Sequence, residues 1–263
     1  MIQKEEFAAD FGVTTLNSDL YDHPALYDAL LPVAPHVPYY LDLARQASGD
    51  VLELACGTGQ LTVPIARAGL PIVGLDLSTP MLTTARQRAA TANISVEFVQ
   101  GDMRNFDLDH KFALIFIARN SLLHLHSIED LLAAFAAVRR HLAPGGILAF
   151  DIFNPNVSLL ARPSGQRFPV FQKETEAFGT LSVEATTDYD PATQVGHGLW
   201  YISTPGKPDA WVLPLDLRNI FPQELPLLLA AGGLHLMSRM GDLDQTPFDS
   251  TSRFQVCLCQ ATV

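Results

Sequence analysis

Between residues 50 and 153, five short runs of β-forming and apolar side chains alternate with stretches of helical character, and this alternation constrains the fold more than any other feature of the chain. Strands and helices in that order form a parallel sheet covered by helices on both faces. The predicted strands are 50–54, 71–76, 95–100, 112–118 and 146–153. Several are nearly unbroken apolar runs, as strands buried on both sides require. Ser78 with Pro80 marks one helix start, and Ser127 with Asp130 has capping-box spacing for another. In that second helix Ile128, Leu131, Leu132, Phe135 and Val138 recur at helical spacing, and Arg139, Arg140 and His141 close the last turn, where cations complement the dipole. Pro144, Gly145 and Gly146 are predicted to separate it from the next strand.

Beyond Phe153 the pattern changes. Residues 154–167 are rich in Pro, Asn and Ser, and antiparallel strands are predicted over 178–189, 195–202 and 210–217. A helix over 222–231 ends at Gly232 and Gly233, and strands 234–240 and 253–260 are predicted to pair as a hairpin on the sheet edge. The expected division is an N-terminal helical lid (1–40), a main domain (41–153 and 218–263) and a small β insertion (154–217) lying over an acceptor pocket.

The 263 residues are 48% hydrophobic, enough to bury a full core. With 17 basic against 28 acidic side chains the net charge is -11, which repels a polyphosphate, so nucleic acid is not an expected partner. Residues 1–10 carry Glu5, Glu6 and Asp10 and lack the apolar run of a secretory signal, and the apolar runs 112–118 and 225–231 are too short to span a bilayer. The expected location is the cytoplasm, with no membrane partner. Cys56, Cys257 and Cys259 form no disulfide or zinc pattern and read as structural thiols, and no metal site is expected.

The chemistry is concentrated at three predicted strand ends. In Val51-Leu52-Glu53-Leu54-Ala55-Cys56-Gly57-Thr58-Gly59-Gln60 a strand runs straight into a glycine turn and a helix, and Gly57 and Gly59 let the backbone approach a ligand without a Cβ in the way. A dinucleotide fingerprint wants a third small residue where this chain has Thr62, and Glu53 at the strand tip repels a pyrophosphate. A cofactor with a cationic centre and an amino group suits this loop better. Asp76 ends the second strand, where a carboxylate can accept both hydroxyls of a ribose. Asp102 follows the third, where it can accept from an adenine amino group while Met103 packs on the ring. Each acid also has an ordinary alternative as a loop cap, a helix N-cap or a turn residue. Ligands of open α/β sheets bind outside the carboxyl ends of the strands, so the three converge by topology.

In the order and spacing of these residues the chain resembles the class I S-adenosylmethionine-dependent methyltransferases, over about two thirds of its length. The resemblance implies a Rossmann-like, doubly wound seven-stranded α/β sheet with an antiparallel edge hairpin, accompanied here by a small antiparallel β insertion. It implies S-adenosyl-L-methionine as cofactor, with Glu53, Ala55, Gly57 and Gly59 at its methionine end, Asp76 at the ribose, and Asp102 and Met103 at the adenine. Leu77, Met81 and Ala118 complete the cofactor lining that it implies, and Tyr21 or Tyr27, on a tyrosine-bearing N-terminal helix, is placed near the sulfonium, where an aromatic face favours a cation. Plain packing is the alternative for both tyrosines.

Methyl transfer from a sulfonium is an in-line displacement, so the protein must align the nucleophile, exclude water and accept a proton. After the fourth strand, Arg119-Asn120-Ser121-Leu122-Leu123-His124 opens onto the same end of the sheet. His124 is a candidate general base, a histidine being poised for that task near neutral pH, and core packing is its alternative. Asn120 is a candidate for orienting substrate or the cofactor's amino-acid end, or else a loop cap. Trp200, Tyr201, Trp211 and Arg218 mark the insertion as the part that shapes the acceptor pocket.

The run Arg218 to Leu225, with Ala231-Gly232-Gly233 and Met240-Gly241-Asp242, resembles bacterial small-molecule members with a short β insertion, departing from them at Gly233, where an aromatic is usual. Methylation of an amine, amino acid or sugar nitrogen is the expected reaction, with a small-molecule acceptor and a homodimer left open. The alternatives are an enzyme of the same fold that cyclises the cofactor's aminobutyryl arm, and a cofactor-binding protein without catalysis.

Overall fold

The computed structural model describes residues 19–262. The described residues divide into two units, residues 33–156 with 218–262, and residues 19–32 with 157–217.

The larger unit is built on seven strands: β1 (Val51–Leu54), β2 (Ile72–Asp76), β3 (Glu97–Gln100), β4 (Phe112–Ile117), β5 (Leu142–Phe153), β10 (Leu234–Met240) and β11 (Phe254–Ala261). Their order across the sheet is β10-β11-β5-β4-β1-β2-β3. The first five are parallel, β11 is antiparallel to β5, and β10 is antiparallel to β11 and forms the edge. The chain therefore steps outward from β1 to β3 and then returns to lay β4 on the opposite side of β1. That reversal opens a crevice at the carboxyl ends of β1 and β4, the position where open α/β sheets take their ligands.

Side-chain alternation fixes which residues reach the crevice. Val51, Leu114, Phe116 and Ala149 face α2 (His36–Gln46) and the start of α3 (Thr62–Arg67), burying Tyr40, Ala44, Leu61 and Ile65. The Tyr40 ring stacks on Phe116 with centroids 4.6 Å apart. Helix α4 (Thr79–Thr91) contributes Leu82, Ala85 and Ala89 to a second cluster with Cys56, Val63 and Phe98. Burying each valine, leucine, isoleucine or phenylalanine of these clusters contributes about 1.5–3 kcal/mol. Ser78 and Ser127 cap α4 and α5 (Ile128–His141) through the Met81 and Asp130 N–H groups, as their spacing predicted. Helix α5 packs against β5 and α7 (Leu225–Ala231).

The end of α5 differs from the sequence reading in two respects. Strand β5 begins at Leu142, directly after α5, so that Pro144, Gly145 and Gly146 lie within it, where the pairing with β4 shifts register. His141, expected among the cations of the last turn of α5, is buried: its Nε2 accepts the Leu108 N–H at 3.1 Å, which leaves Nδ1 to donate to the Ala137 carbonyl at 2.8 Å.

The smaller unit is a four-stranded antiparallel sheet in the order β6-β7-β8-β9. Strands β7 (Gly179–Asp190), β8 (Val195–Thr204) and β9 (Lys207–Arg218) were predicted, whereas β6 (Phe168–Thr175) was not. Pro169 and the charged Lys173 and Glu174 interrupt its apolar pattern, which an edge strand tolerates. A 3₁₀ turn (Leu20–Asp22) and α1 (Pro24–Leu30) bury Leu20, Leu26 and Leu30 on Leu181, Val183, Ile202 and Leu213. A short α6 (Val157–Leu160) also belongs here. The N-terminal segment, read as one piece through residue 40, is divided at residues 32 and 33, because Leu26 and Leu30 find this sheet while Val33, Val37 and Tyr40 pack into the larger core.

Cys56, Cys257 and Cys259 are buried free thiols, and burial pushes the Cys257 thiol up to about 12. No helix among the described residues is long and apolar enough to cross a membrane.

Candidate functional site

The turn after β1 is held in conformations that side chains rarely adopt. Ala55, Gly57 and Gly59 all have positive φ, at 57°, 55° and 73°. For Ala55, which has a Cβ, the left-handed region is a local strain of about 1–2 kcal/mol, of the kind that accumulates at ligand sites. Glu53, the third residue of β1, is 3% exposed and accepts a short hydrogen bond from the Thr62 hydroxyl at the start of α3. Burial pushes its carboxyl up to about 8, the Thr62 bond opposing that rise and the Asp76 charge adding to it. A buried acid of this kind is stabilised in its ionised form by a cation brought beside it.

Asp76, at the end of β2, accepts the Gly57 N–H through Oδ2 at 2.7 Å and the Ser78 N–H through Oδ1 at 2.8 Å. Burial raises its pKa, and these backbone donors counteract the rise. A carboxylate has about four acceptor positions, so two backbone bonds leave capacity for a diol. Leu77, the next residue, is 65% exposed and presents apolar surface beside it.

Asp102, just beyond β3, is gripped by Arg104. Arg104 Nε lies 3.0 Å from each carboxylate oxygen, its Nη2 2.6 Å from Oδ2, and its backbone N–H donates to Oδ1 at 2.9 Å. Arg104 Nη1 also reaches Asp130 at 2.8 Å, tying this loop to α5. These bonds hold the Asp102 carboxyl below the usual carboxylate range. The sequence reading gave this carboxylate to an adenine amino group and foresaw no arginine. Met103 is half-buried alongside.

Two residues expected to line the cofactor are buried in the core. Met81 is 0% exposed, its N–H bonded to the Ser78 hydroxyl, and it serves the start of α4. Ala118 is 5% exposed and packs in the cluster around Tyr40 and Phe116. Tyr21 and Tyr27 fall in the smaller unit, with ring centroids 5.9 Å apart.

After β4 the chain makes a second left-handed turn, at Arg119 and Asn120, with φ of 60° and 64°. The Asn120 N–H donates to the Asp151 carbonyl at 3.0 Å, and Asn120 Oδ1 accepts the Phe153 N–H at 2.6 Å, so this side chain braces the turn against β5. A 3₁₀ turn (Ser121–His124) follows and places the half-buried His124 on the same exit segment. Sequence reasoning overlooked Asp151, an acid inside the apolar run of β5 that is 2% exposed and accepts from the Tyr40 hydroxyl at 2.5 Å. A carboxylate interrupting a strand buried on both faces was the available signal. Among the described residues no group of three or more His, Cys, Asp or Glu is arranged to hold a metal ion.

Residues 51–146 match the family model described as a methyltransferase domain. YqeM of Bacillus subtilis (strain 168), named as a methyltransferase, is 34% identical over 131 residues, which are 49% of this chain and 53% of that protein. The dTDP-3-amino-3,4,6-trideoxy-alpha-D-glucopyranose N,N-dimethyltransferase of Streptomyces venezuelae is 33% identical over 138 residues, 49% of this chain and 56% of that one. The chain thus spans about half the length of these sequence relatives. Among solved structures, the CcbJ methyltransferase from Streptomyces caelestis superposes with a TM-score of 0.79 at 26% identity, covering 93% of this chain and 99% of that one.

Proposed function

Because the chain belongs to the class I S-adenosylmethionine-dependent methyltransferases, we propose that it transfers a methyl group from S-adenosyl-L-methionine to a nitrogen of a small-molecule amine, amino acid or amino sugar. The observation that carries the reading is the succession Glu53, Asp76 and Asp102 at the ends of β1, β2 and β3, three neighbouring strands beside the crevice. The residues fit the cofactor: Glu53 is a buried acid awaiting a positive charge, and Asp76 keeps acceptor capacity for a ribose. Leu77 supplies an exposed apolar surface for the adenine.

When bound, the cofactor supplies an electrophilic methyl group on a sulfonium. Glu53 and the turn at Gly57 and Gly59 hold its amino-acid end, Asp76 accepts from its ribose, and Asp102 marks the adenine end, its carboxylate shared with Arg104. Asn120 sets the shape of the β4 exit, and His124 accepts the proton that an amine acceptor releases. Nitrogen is favoured as the methylated atom by the sugar N,N-dimethyltransferase named above.

The test is incubation of the purified protein with S-adenosylmethionine and a panel of small amines, amino acids, amino sugars and phenols, with mass spectrometry of both products. S-adenosylhomocysteine together with an N-methylated acceptor is the expected result. Methylthioadenosine formed without any acceptor would overturn it, showing that the cofactor's own side chain is the substrate.

A further inference from the structure

We propose that Asp151 is a positioning residue for methyl transfer, a role that rests on the methyltransferase reading above: it holds the β4 exit turn, and with it Asn120 and His124, in the geometry the acceptor requires. Two consecutive residues with side chains, Arg119 and Asn120, occupy the left-handed region there, which only surrounding bonds can maintain. The Arg119 N–H donates to both oxygens of the Asp151 carboxylate, at 3.0 Å each, and the Asn120 N–H donates to the carbonyl of the same residue. The Phe153 N–H then returns to Asn120 Oδ1. Every one of these bonds joins the end of β4 to the end of β5.

The carboxylate is clamped from the other side by α2. Tyr40 donates its hydroxyl at 2.5 Å, and His36, one helical turn earlier, places Nε2 3.5 Å away. Asp151 lies on the sheet face that carries Ile147 and Ala149, where an apolar residue would pack at lower cost than a buried charge. Its donors replace the water it lacks, and what the acid supplies that an apolar side chain could not is an acceptor for the Arg119 N–H.

The test compares the full-length wild type with Asp151→Asn and Tyr40→Phe by melting temperature, calorimetric affinity for S-adenosylmethionine, steady-state kinetics with an acceptor found in the panel, and amide hydrogen exchange over residues 118–125. Asp151→Asn replaces one of the two oxygens that the Arg119 N–H reaches by an amide NH2, which cannot accept from it, and removes the charge. It is expected to lower kcat by about tenfold or more while cofactor affinity stays within about threefold, the pattern of a lost alignment rather than lost binding. Exchange over 118–125 is expected to quicken. Tyr40→Phe also loses a buried hydrogen bond and some thermal stability but keeps the Arg119 bonds, and is expected to retain kcat within about threefold.

An unchanged kcat or unchanged exchange in Asp151→Asn would overturn the proposal, and so would equal losses of kcat in the two variants. Should Asp151→Asn fail to fold, Asp151→Glu displaces the carboxylate by one methylene, and an unaltered kcat in that variant is equally fatal. A wild type that neither binds S-adenosylmethionine nor forms S-adenosylhomocysteine refutes the methyltransferase reading instead, and the exchange measurement still decides whether Asp151 holds the turn.

Discussion

The Asp76 carboxylate accepts the Gly57 N–H at 2.7 Å, which joins the tip of β2 to the glycine turn that leaves β1. One acid thereby shapes the glycine loop and keeps acceptor positions beyond its two backbone bonds. Its second oxygen, bonded to the Ser78 N–H, fixes the entry into α4 as well.

Replacing Asp76 by Ala removes a charged acceptor for the ribose, where each charge-assisted bond is worth about 1.5–3 kcal/mol. Affinity for S-adenosylmethionine is expected to fall by about 10- to 150-fold per bond lost. Asp76→Asn, which keeps one acceptor oxygen, is expected to lie between. Calorimetry checks both, and an unchanged dissociation constant in Asp76→Ala would remove this residue from the cofactor site.

Glu53 gives the protein a pH dependence opposite to that of an ordinary surface acid. Its carboxyl sits near 8 in the folded chain against an ordinary 4.5. Below about pH 4.5 both states hold the proton; between about 4.5 and 8 the unfolded chain releases it while the folded chain keeps it, so stability declines as pH rises through that window. Melting curves from pH 5 to 8 are expected to show this decline, and Glu53→Gln to flatten it. A cationic cofactor reverses the preference, so binding near pH 7 is expected to release a proton, detected by calorimetry in buffers of different ionisation enthalpy.

At Gly233, after α7, φ is +77° and an added Cβ would stand 2.6 Å from Arg139 Nη1. Gly233→Ala is expected to cost about 1–2 kcal/mol, chiefly because the left-handed backbone is strained for any residue with a Cβ; the arginine tip can move. The melting temperature should fall by about 2–4 °C for each kcal/mol in a chain of this size. An aromatic there would meet the same strain, which accounts for glycine at this position of the chain.

For His124, the expected effect of substitution by Ala is a lower kcat with cofactor affinity preserved, since the residue follows the β4 exit and does not belong to the loops that end β1 and β2. A normal rate in His124→Ala would exclude it as the proton acceptor.

What the chain's sequence determined by itself was everything carried by local periodicity and turn chemistry. The alternation of apolar runs with amphipathic stretches specified a parallel sheet, Ser78 and Ser127 specified helix starts, and the glycines after Glu53 specified a turn that a ligand can approach. Strand β6 escaped because an edge strand needs no clean pattern, and Pro169 is tolerated there. The tertiary structure alone decided the acids' distant partners. Arg104, a sequence neighbour that grips Asp102 locally, reaches Asp130 across 26 residues, and Asp151 met Tyr40 across 111 residues. It also buried the side chains of Met81 and Ala118. Such pairings depend on the lateral order and register of strands, which bring together side chains whose positions in the chain carry no mutual spacing, whereas a cap or a turn is built from neighbours and is written in adjacent residues.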